Sequence, residues 1–479
     1  MRAKTIFAGN LSKGVTKRKG IPGLICTITL TALLASTGLG SFASYAQGSE
    51  PKKSEIYSAD FWIKKLEKPD QEILTPQQIK NANRESLSLL KGVLYDLTAY
   101  PSSLSKDELT ELLNKYSFSK NDRYVNNQKV TPEYYDALKA LMNLGEVKDT
   151  NEVNYGITVN RTNVRTFPTS DGIYTTAGAV QSDMFQETEV RPAEPVIILH
   201  RSIDGKWGYV QTFNYSGWML IKDIAIAKDK AEWKSYISAS KFLVVTANKL
   251  TLGYNPYSPE LSQLKLYMGN KLPLVSDEET PDFVDKQSTE ANYVVKLPVR
   301  AQDGSLAFKL ALIPVNSDVS IGYLPYTRAN IIRQAFKSLG ERYGWGGEFD
   351  SKDCSSFVES IFTSFGFVFA RNTGEQIDTF GKNFDFEALN SADRMKILDE
   401  LLPGATLHFS GHTMLYLGKY ENKYYIIHDV DVYGNVNNKL PDGTYERINV
   451  NQVSVTDLSM IRPSGAVYLD VLTRAKLIE

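Results

Sequence analysis

A multidomain chain is predicted, with a small helical N-terminal segment, two small β-barrels in the middle and an α+β domain at the C-terminus. Three observations predict it. At 479 residues the chain exceeds what one compact core holds, so two to four domains are expected. Near residue 150, helical periodicity gives way to short alternating runs broken by Gly, Asn and Asp. At Thr327 the texture changes again, to helices followed by three apolar runs of strand length.

Residues 2–19 carry Arg2, Lys4, Lys13, Lys17, Arg18 and Lys19 and no acid. An apolar run from Ile21 to about Leu39 follows, then Ser41-Phe42-Ala43-Ser44-Tyr45-Ala46. This is the order of a secretory signal, with Ser44 and Ala46 at the small-residue cleavage positions. Residues 1–46 are therefore expected to be a cleaved signal peptide, the alternative being a retained anchor. The mature protein is expected in the periplasm, cell wall or extracellular space. Cleavage removes six of 54 basic residues and none of 55 acids, so 48 stand against 55 and the net charge is −7. Such a chain has no electrostatic reason to seek nucleic acid or an anionic membrane. No membrane span is expected to remain. Cys26 also leaves with the signal, so Cys354 has no disulfide partner in its own chain. A lone thiol in an oxidising compartment is a liability unless it is used.

Residues 47–150 read as a helical cap segment. Ser105-Lys-Asp-Glu108 is a capping box leading into Leu109, Leu112 and Leu113. Thr131-Pro132 opens another helix, with Tyr134, Leu138 and Leu141 periodic and Gly145 closing it. Residues 151–230 and 236–326 read as the two barrels. The first holds Asn163-Val164-Arg165, Val196–Leu199, Trp207-Gly-Tyr-Val210 and Gly217-Trp218-Met219. These resemble the strand signatures of a bacterial SH3 domain. The second has strand candidates at Phe242–Thr246, Leu264–Met268, Tyr293–Leu297 and Phe308–Ile313, and its order and size suggest a divergent SH3-like barrel.

Residues 327–479 form the α+β region. Ile331, Ile332, Ala335, Phe336 and Leu339 mark a helix ending at Gly340. Phe357, Val358, Ile361, Phe362 and Phe365 mark one buried face of the next. Asp353 is a good N-cap, which places Cys354 in the first turn, where the helix dipole is expected to ease loss of the thiol proton. Strands are expected at Gly404–Ser410, Thr413–Tyr420 and Lys423–Val430, the last two joined by a tight turn at Glu421-Asn422.

A thiol nucleophile needs a base, and the base needs a group to hold its ring. The chain has four histidines. His200 ends a barrel strand and reads as structural. His412 and His428 lie on partnered strands within a few residues of register, so Cys354, His412 and His428 could fill the three roles in that order. A metal site does not fit. His408 and His412 are four apart on a strand, roughly 13 Å, and no Cys or His-Glu pair completes a set. No cofactor is expected. Tyr343-Gly-Trp-Gly-Gly347 lacks the Lys-Ser/Thr of a phosphate loop.

Tyr343-Gly-Trp-Gly-Gly347, Asp353-Cys354-Ser355-Ser356-Phe357, Arg371–Gln376 and Gly411-His412-Thr-Met-Leu-Tyr416-Leu-Gly418 resemble the NlpC family of papain-like cell-wall cysteine endopeptidases. That resemblance implies cleavage of the γ-D-glutamyl–diamino acid bond in peptidoglycan stem peptides; a monomer is expected. It implies Cys354 as nucleophile, His412 as base and His428 as its orienter. Tyr343 faces the oxyanion, and Trp345, Asp353, Ser355, Asn372 and Thr373 are its candidate substrate contacts. Members that require a free N-terminal L-alanine carry Arg-Asp-Ser where this chain has Arg371-Asn372-Thr373, and Asn372 offers no charge to an ammonium. Two other readings use the same features: a wall-binding protein that works through its SH3-like domains, and a cysteine amidase or acyltransferase on the same fold.

Overall fold

The computed structural model describes residues 53–479, so the expected signal peptide lies outside the described residues. Among these residues, no helix is long and apolar enough to cross a membrane.

The N-terminal segment packs as two parts. Trp62, Ile63, Leu74 and Ile79 join the core of the C-terminal region, while Leu97, Leu104, Leu109, Leu113 and Leu138 join the core of the β-rich middle. Ser105 and Glu108 close the capping box as the sequence requires. Helix Pro132–Leu141 starts with proline at its first turn. It ends earlier than expected: the left-handed residue is Asn143 (φ 56°), not Gly145, because asparagine also tolerates that conformation.

The first β-rich region is a seven-stranded antiparallel sheet. Its strands are β1 (Asn154–Thr158), β2 (Thr162–Arg165), β3 (Gln186–Val190), β4 (Pro195–Arg201), β5 (Trp207–Gln211), β6 (Ser216–Leu220) and β7 (Ile224–Ile226), in the order β7-β1-β4-β5-β6-β2-β3. Tyr209 and Trp218 fill its interior, and His200 lies on Trp218 with Nε2 3.1 Å from the carbonyl oxygens of Met142 and Asn143. The second β-rich region divides its strands among four small sheets. Strands occur at all four expected places, the longest being the Asn292–Arg300 and Leu306–Pro314 pair. Its apolar residues continue the core of the first region, and buried Trp233 between them donates to the Gly156 carbonyl at 2.9 Å.

The C-terminal region is a six-stranded sheet with helices on both faces. Helix α1 is Arg328–Phe336 and α2 is Cys354–Thr363. The strands are β8 (Lys382–Asp385), β9 (Thr406–Phe409), β10 (His412–Tyr420), β11 (Lys423–Lys439), β12 (Tyr445–Asp457) and β13 (Arg474–Leu477), ordered β8-β13-β9-β10-β11-β12. The apolar face of α2 packs on Leu415, Ile427 and Val453, and Phe362 stacks on Phe369. Helix Ser391–Glu400 covers the opposite face through Leu398, against Tyr416 and Ile426. Glu421 and Asn422 both have positive φ (46° and 60°), the signature of the two-residue turn expected there.

Candidate active site

The helix that presents Cys354 is fixed from beneath. Asp353 accepts the Ser356 N–H at 3.0 Å as N-cap, and its other oxygen accepts the Gly346 N–H at 3.0 Å. Arg371 closes a two-pronged pair on Asp353, at 3.1 and 2.7 Å, and donates to Ser355 Oγ at 2.7 Å. Burial would push the Asp353 carboxyl up, but Arg371 and these N–H donors outweigh it and hold Asp353 below the usual range. Asp353 and Ser355 are thus both buried, with Arg371 bonded to each.

Cys354 is the first residue of α2, with Thr373 Oγ1 3.8 Å from its sulfur and the Thr413 N–H donating to it. The expected easing of thiol ionisation does not survive burial. Desolvation, with the Asp353 carboxylate adding to it, pushes the Cys354 thiol up to about 12. The dipole of a helix end is a partial charge, and a buried site with a full negative charge next door overrides it.

His412 opens β10 and His428 lies on β11. Leu415 pairs with Ile427, which makes the two histidines diagonal neighbours on one face, ring centres 5.0 Å apart. His412 Nε2 is 2.8 Å from His428 Nδ1, and His428 Nε2 is 2.9 Å from Thr456 Oγ1. With Nε2–H of His412 donating to His428, and Nε2–H of His428 to Thr456, the Nδ1 lone pair of His412 is left free. Burial, with Arg462 nearby, pulls His412 down to about 3; burial, then His412 itself, pulls His428 well down. Both rings rest neutral. His408, two strands from His428 and bonded at Nε2 to Thr406 Oγ1 (2.8 Å), takes no part in this chain.

Tyr343 stands at the mouth of the site, its phenol raised by burial and by the Asp353 and Cys354 charges. Trp345, 43% exposed, and Asp431 line the same groove. Asn372 is exposed, one residue before Thr373. Among the described residues no cluster of three or more His, Cys, Asp or Glu could hold a metal ion.

The glycine-rich loop before Cys354 owes its composition to the barrel. Gly346 and Gly347 have φ of 56° and 91°, and a Cβ on Gly346 would stand 2.9 Å from the Gln186 carbonyl oxygen. Gln186 Nε2 donates to the Gly346 carbonyl at 2.7 Å, and Arg161 to those of Gly347 and Ser351 at 2.8 and 2.9 Å. Glu348 in turn accepts the Ser182 and Asp183 N–H groups, and Arg371 Nε donates to Thr188 Oγ1 at 2.6 Å.

Several residues here were not singled out from sequence. Arg371 is adjacent to Asn372 in the sequence, but its pairing with Asp353 needs the fold. Thr456 reaches His428 only through the β11–β12 pairing. Asp429, buried and with neither carboxylate oxygen partnered among the described residues, is raised well above the usual range by burial and then by Asp353, with Lys352 opposing. Its signal was an acid inside the apolar run Ile426-Ile427-His428-Asp429-Val430.

Residues 340–455 match the model of the NlpC/P60 family, and residues 177–220 that of an SH3 domain of the SH3b1 type. A search of curated proteins gives no match. Among solved structures, an NlpC/P60 endopeptidase from Photobacterium damselae subsp. piscicida is 20% identical, with 88% of this chain and 96% of that one covered at a TM-score of 0.69. The two share a fold across nearly all their length. An NlpC/P60 family protein from Bacillus cereus is 18% identical over 67% of this chain and 99% of its own, at a TM-score of 0.45. The chain carries a C-terminal domain of the NlpC/P60 family, a family of cell-wall cysteine peptidases, behind an SH3 domain of the SH3b1 type.

Proposed function

We propose that this chain is an exported peptidoglycan hydrolase, a cysteine endopeptidase that cleaves the γ-D-glutamyl–diamino acid bond of stem peptides. The observation that carries the reading is the chain Thr456–His428–His412 beside a helix-start cysteine. With thiol and imidazole both neutral at rest, His412 Nδ1 takes the thiol proton as sulfur attacks the carbonyl carbon. The oxyanion is met by the Cys354 N–H, which as a first-turn donor lacks an intrahelical partner, and by the Tyr343 hydroxyl. His412 then gives that proton to the leaving amine, and the carbon–nitrogen bond breaks. Water, deprotonated by the same ring, releases the acyl group and restores the thiol.

The barrel gives this site a rigid floor, since its Gln186 and Arg161 hold the loop that bears Tyr343 and Trp345. In this reading the barrel also narrows the cleft on the side of the stem peptide's N-terminus, so released peptides beginning with L-alanine are cut faster than stems still on glycan. The test is mass spectrometry of released tetrapeptide and of intact sacculi after digestion by the mature protein, with Cys354→Ala as control. Products split after D-glutamate are expected. Cleavage at another bond would overturn the specificity, and equal rates on both substrates would overturn the gate.

A further inference from the structure

The Asp353 carboxylate that caps the nucleophile's helix is held in place from the SH3-type barrel, and the chemistry above makes no use of that tie. Strand β3 is the edge of the seven-stranded sheet. Its Gln186 and Thr188 are both buried, and both bond across to the C-terminal region. The two bonds lead to one carboxylate. Gln186 holds Gly346 by its carbonyl, and the N–H of the same glycine reaches one Asp353 oxygen at 3.0 Å. Thr188 Oγ1 accepts the Arg371 Nε–H at 2.6 Å, and the two Nη groups of Arg371 meet both Asp353 oxygens, at 3.1 and 2.7 Å.

Arg371 Nη1 also donates to Ser355 Oγ at 2.7 Å, so the Nη side of the guanidinium is committed to α2 and the Nε side to the barrel. Among the described residues, Thr188 is the only partner of that Nε. A planar fork is aimed by all its bonds at once, so losing the acceptor at Nε frees the plane to turn away from Asp353. Arg371 is 3% exposed, which leaves no bulk water to take the acceptor's place. The backbone on either side is tied to the same two partners. Asn214 of the barrel donates to the Phe369 carbonyl at 3.2 Å, two residues before Arg371, and Thr373 Oγ1, two residues after it, stands 3.8 Å from the Cys354 sulfur. After burial, Asp353 is what most opposes ionisation of that thiol. How squarely Arg371 offsets the Asp353 charge therefore bears on how readily the thiolate forms.

We propose that Thr188 of the barrel is a positioning residue for catalysis: its hydroxyl holds the Arg371 guanidinium on Asp353 and so supports the thiolate that forms as Cys354 attacks. It acts through Arg371 and bonds to neither Cys354 nor His412. The barrel then does more than bound the cleft, since it contributes a hydrogen bond on which the nucleophile's own ionisation depends. The proposal rests on the endopeptidase reading for turnover alone; alkylation of the thiol tests it without a substrate.

The test compares the full mature chain with Thr188→Val, which keeps the branched shape and removes the acceptor, and with Thr188→Ser, which keeps the acceptor. On released tetrapeptide, Thr188→Val should lower kcat about tenfold with KM within about twofold. Alkylation of Cys354 by iodoacetamide between pH 6 and 9 should slow severalfold near neutrality, its midpoint moving to higher pH, because a carboxylate less well offset opposes the thiolate. Thr188→Ser should return both readouts to within about twofold of wild type. Thr188→Ala carries the same comparison if circular dichroism shows Thr188→Val to be unfolded. A kcat and an alkylation profile unmoved by loss of the hydroxyl would overturn the proposal. So would a serine variant as impaired as the valine one, or a rise in KM at constant kcat, which would place Thr188 in the cleft. An alkylation profile that follows the hydroxyl in a protein that cuts no stem peptide supports the positioning role and counts against the endopeptidase reading.

Discussion

Cys354 and His412 are held in their neutral forms by the same cause, burial, so in the proposed reaction the proton moves during attack rather than before it. Loss of either should cut kcat on the order of 10³-fold or more, because proton transfer in and out passes through one ring. His428→Ala should retain more activity, and His428→Asn or Gln more still, since an amide oxygen can accept the His412 Nε2–H. A His408→Ala loss exceeding that of His412→Ala would reassign the base. Asp429 supplies a second prediction. Its carboxylate, once ionised, opposes thiolate formation at Cys354. Iodoacetamide should therefore label Asp429→Asn faster than wild type, by a ratio that grows as pH rises through the range in which Asp429 ionises. A constant ratio across that range would separate the two groups. Cys354 and the pairing of His412 with His428 were visible in the sequence because cysteine and histidine are scarce there and their chemistry is narrow. Asp429 was not, since an acid in a buried strand becomes informative only when its lack of partners is seen.

Among elements, α2 and the hairpin were legible because each states its own boundaries. Asp353 caps the helix and the phenylalanines mark its buried face, while Glu421-Asn422 sits between two apolar runs. The turn also offers a clean test, since Glu421 is a poor residue for positive φ. Glu421→Asn with Asn422→Gly should stabilise the protein by about 1 kcal/mol, read by denaturant unfolding, with kcat unchanged. No gain would mean that the turn's geometry is set by its strands alone. The long ribbon of β11 and β12 beyond Val430 was not legible. Its exposed Asn437, Asn438 and Lys439 give no two-residue alternation, because neither face there packs on a core. The glycine-rich loop was visible as a motif, yet its reason lies in the barrel against it.

At the scale of the whole molecule, all four histidines are held below their ordinary value by burial first. The unfolded chain then binds more protons below about pH 6.5. Stability should fall as pH drops from there, by roughly 1.4 kcal/mol per pH unit for each fully buried histidine. Glu359, raised by burial to about 7, Asp429 and Glu348, also raised by burial first, act the other way, losing stability as pH rises above the ordinary carboxylate range; four histidines against three carboxylates leave the slope on the histidine side. Unfolding at pH 5 and 7 in wild type and His408→Leu measures it, and a slope unchanged by that variant would contradict the assignment. The N-terminal segment's division between two cores was not legible in the sequence, because apolar periodicity names a buried face without naming what buries it. That division carries a consequence for how the protein is made. Glu72 pairs with Thr327, and Trp62 packs its ring on Tyr425, centroids 5.2 Å apart. The earliest described residues therefore wait for some of the last to leave the ribosome. Contacts of such separation close slowly, so the core that holds Trp62 cannot close until synthesis is nearly over, whereas the core of the β-rich middle draws on residues up to Val319 alone and can close well before it.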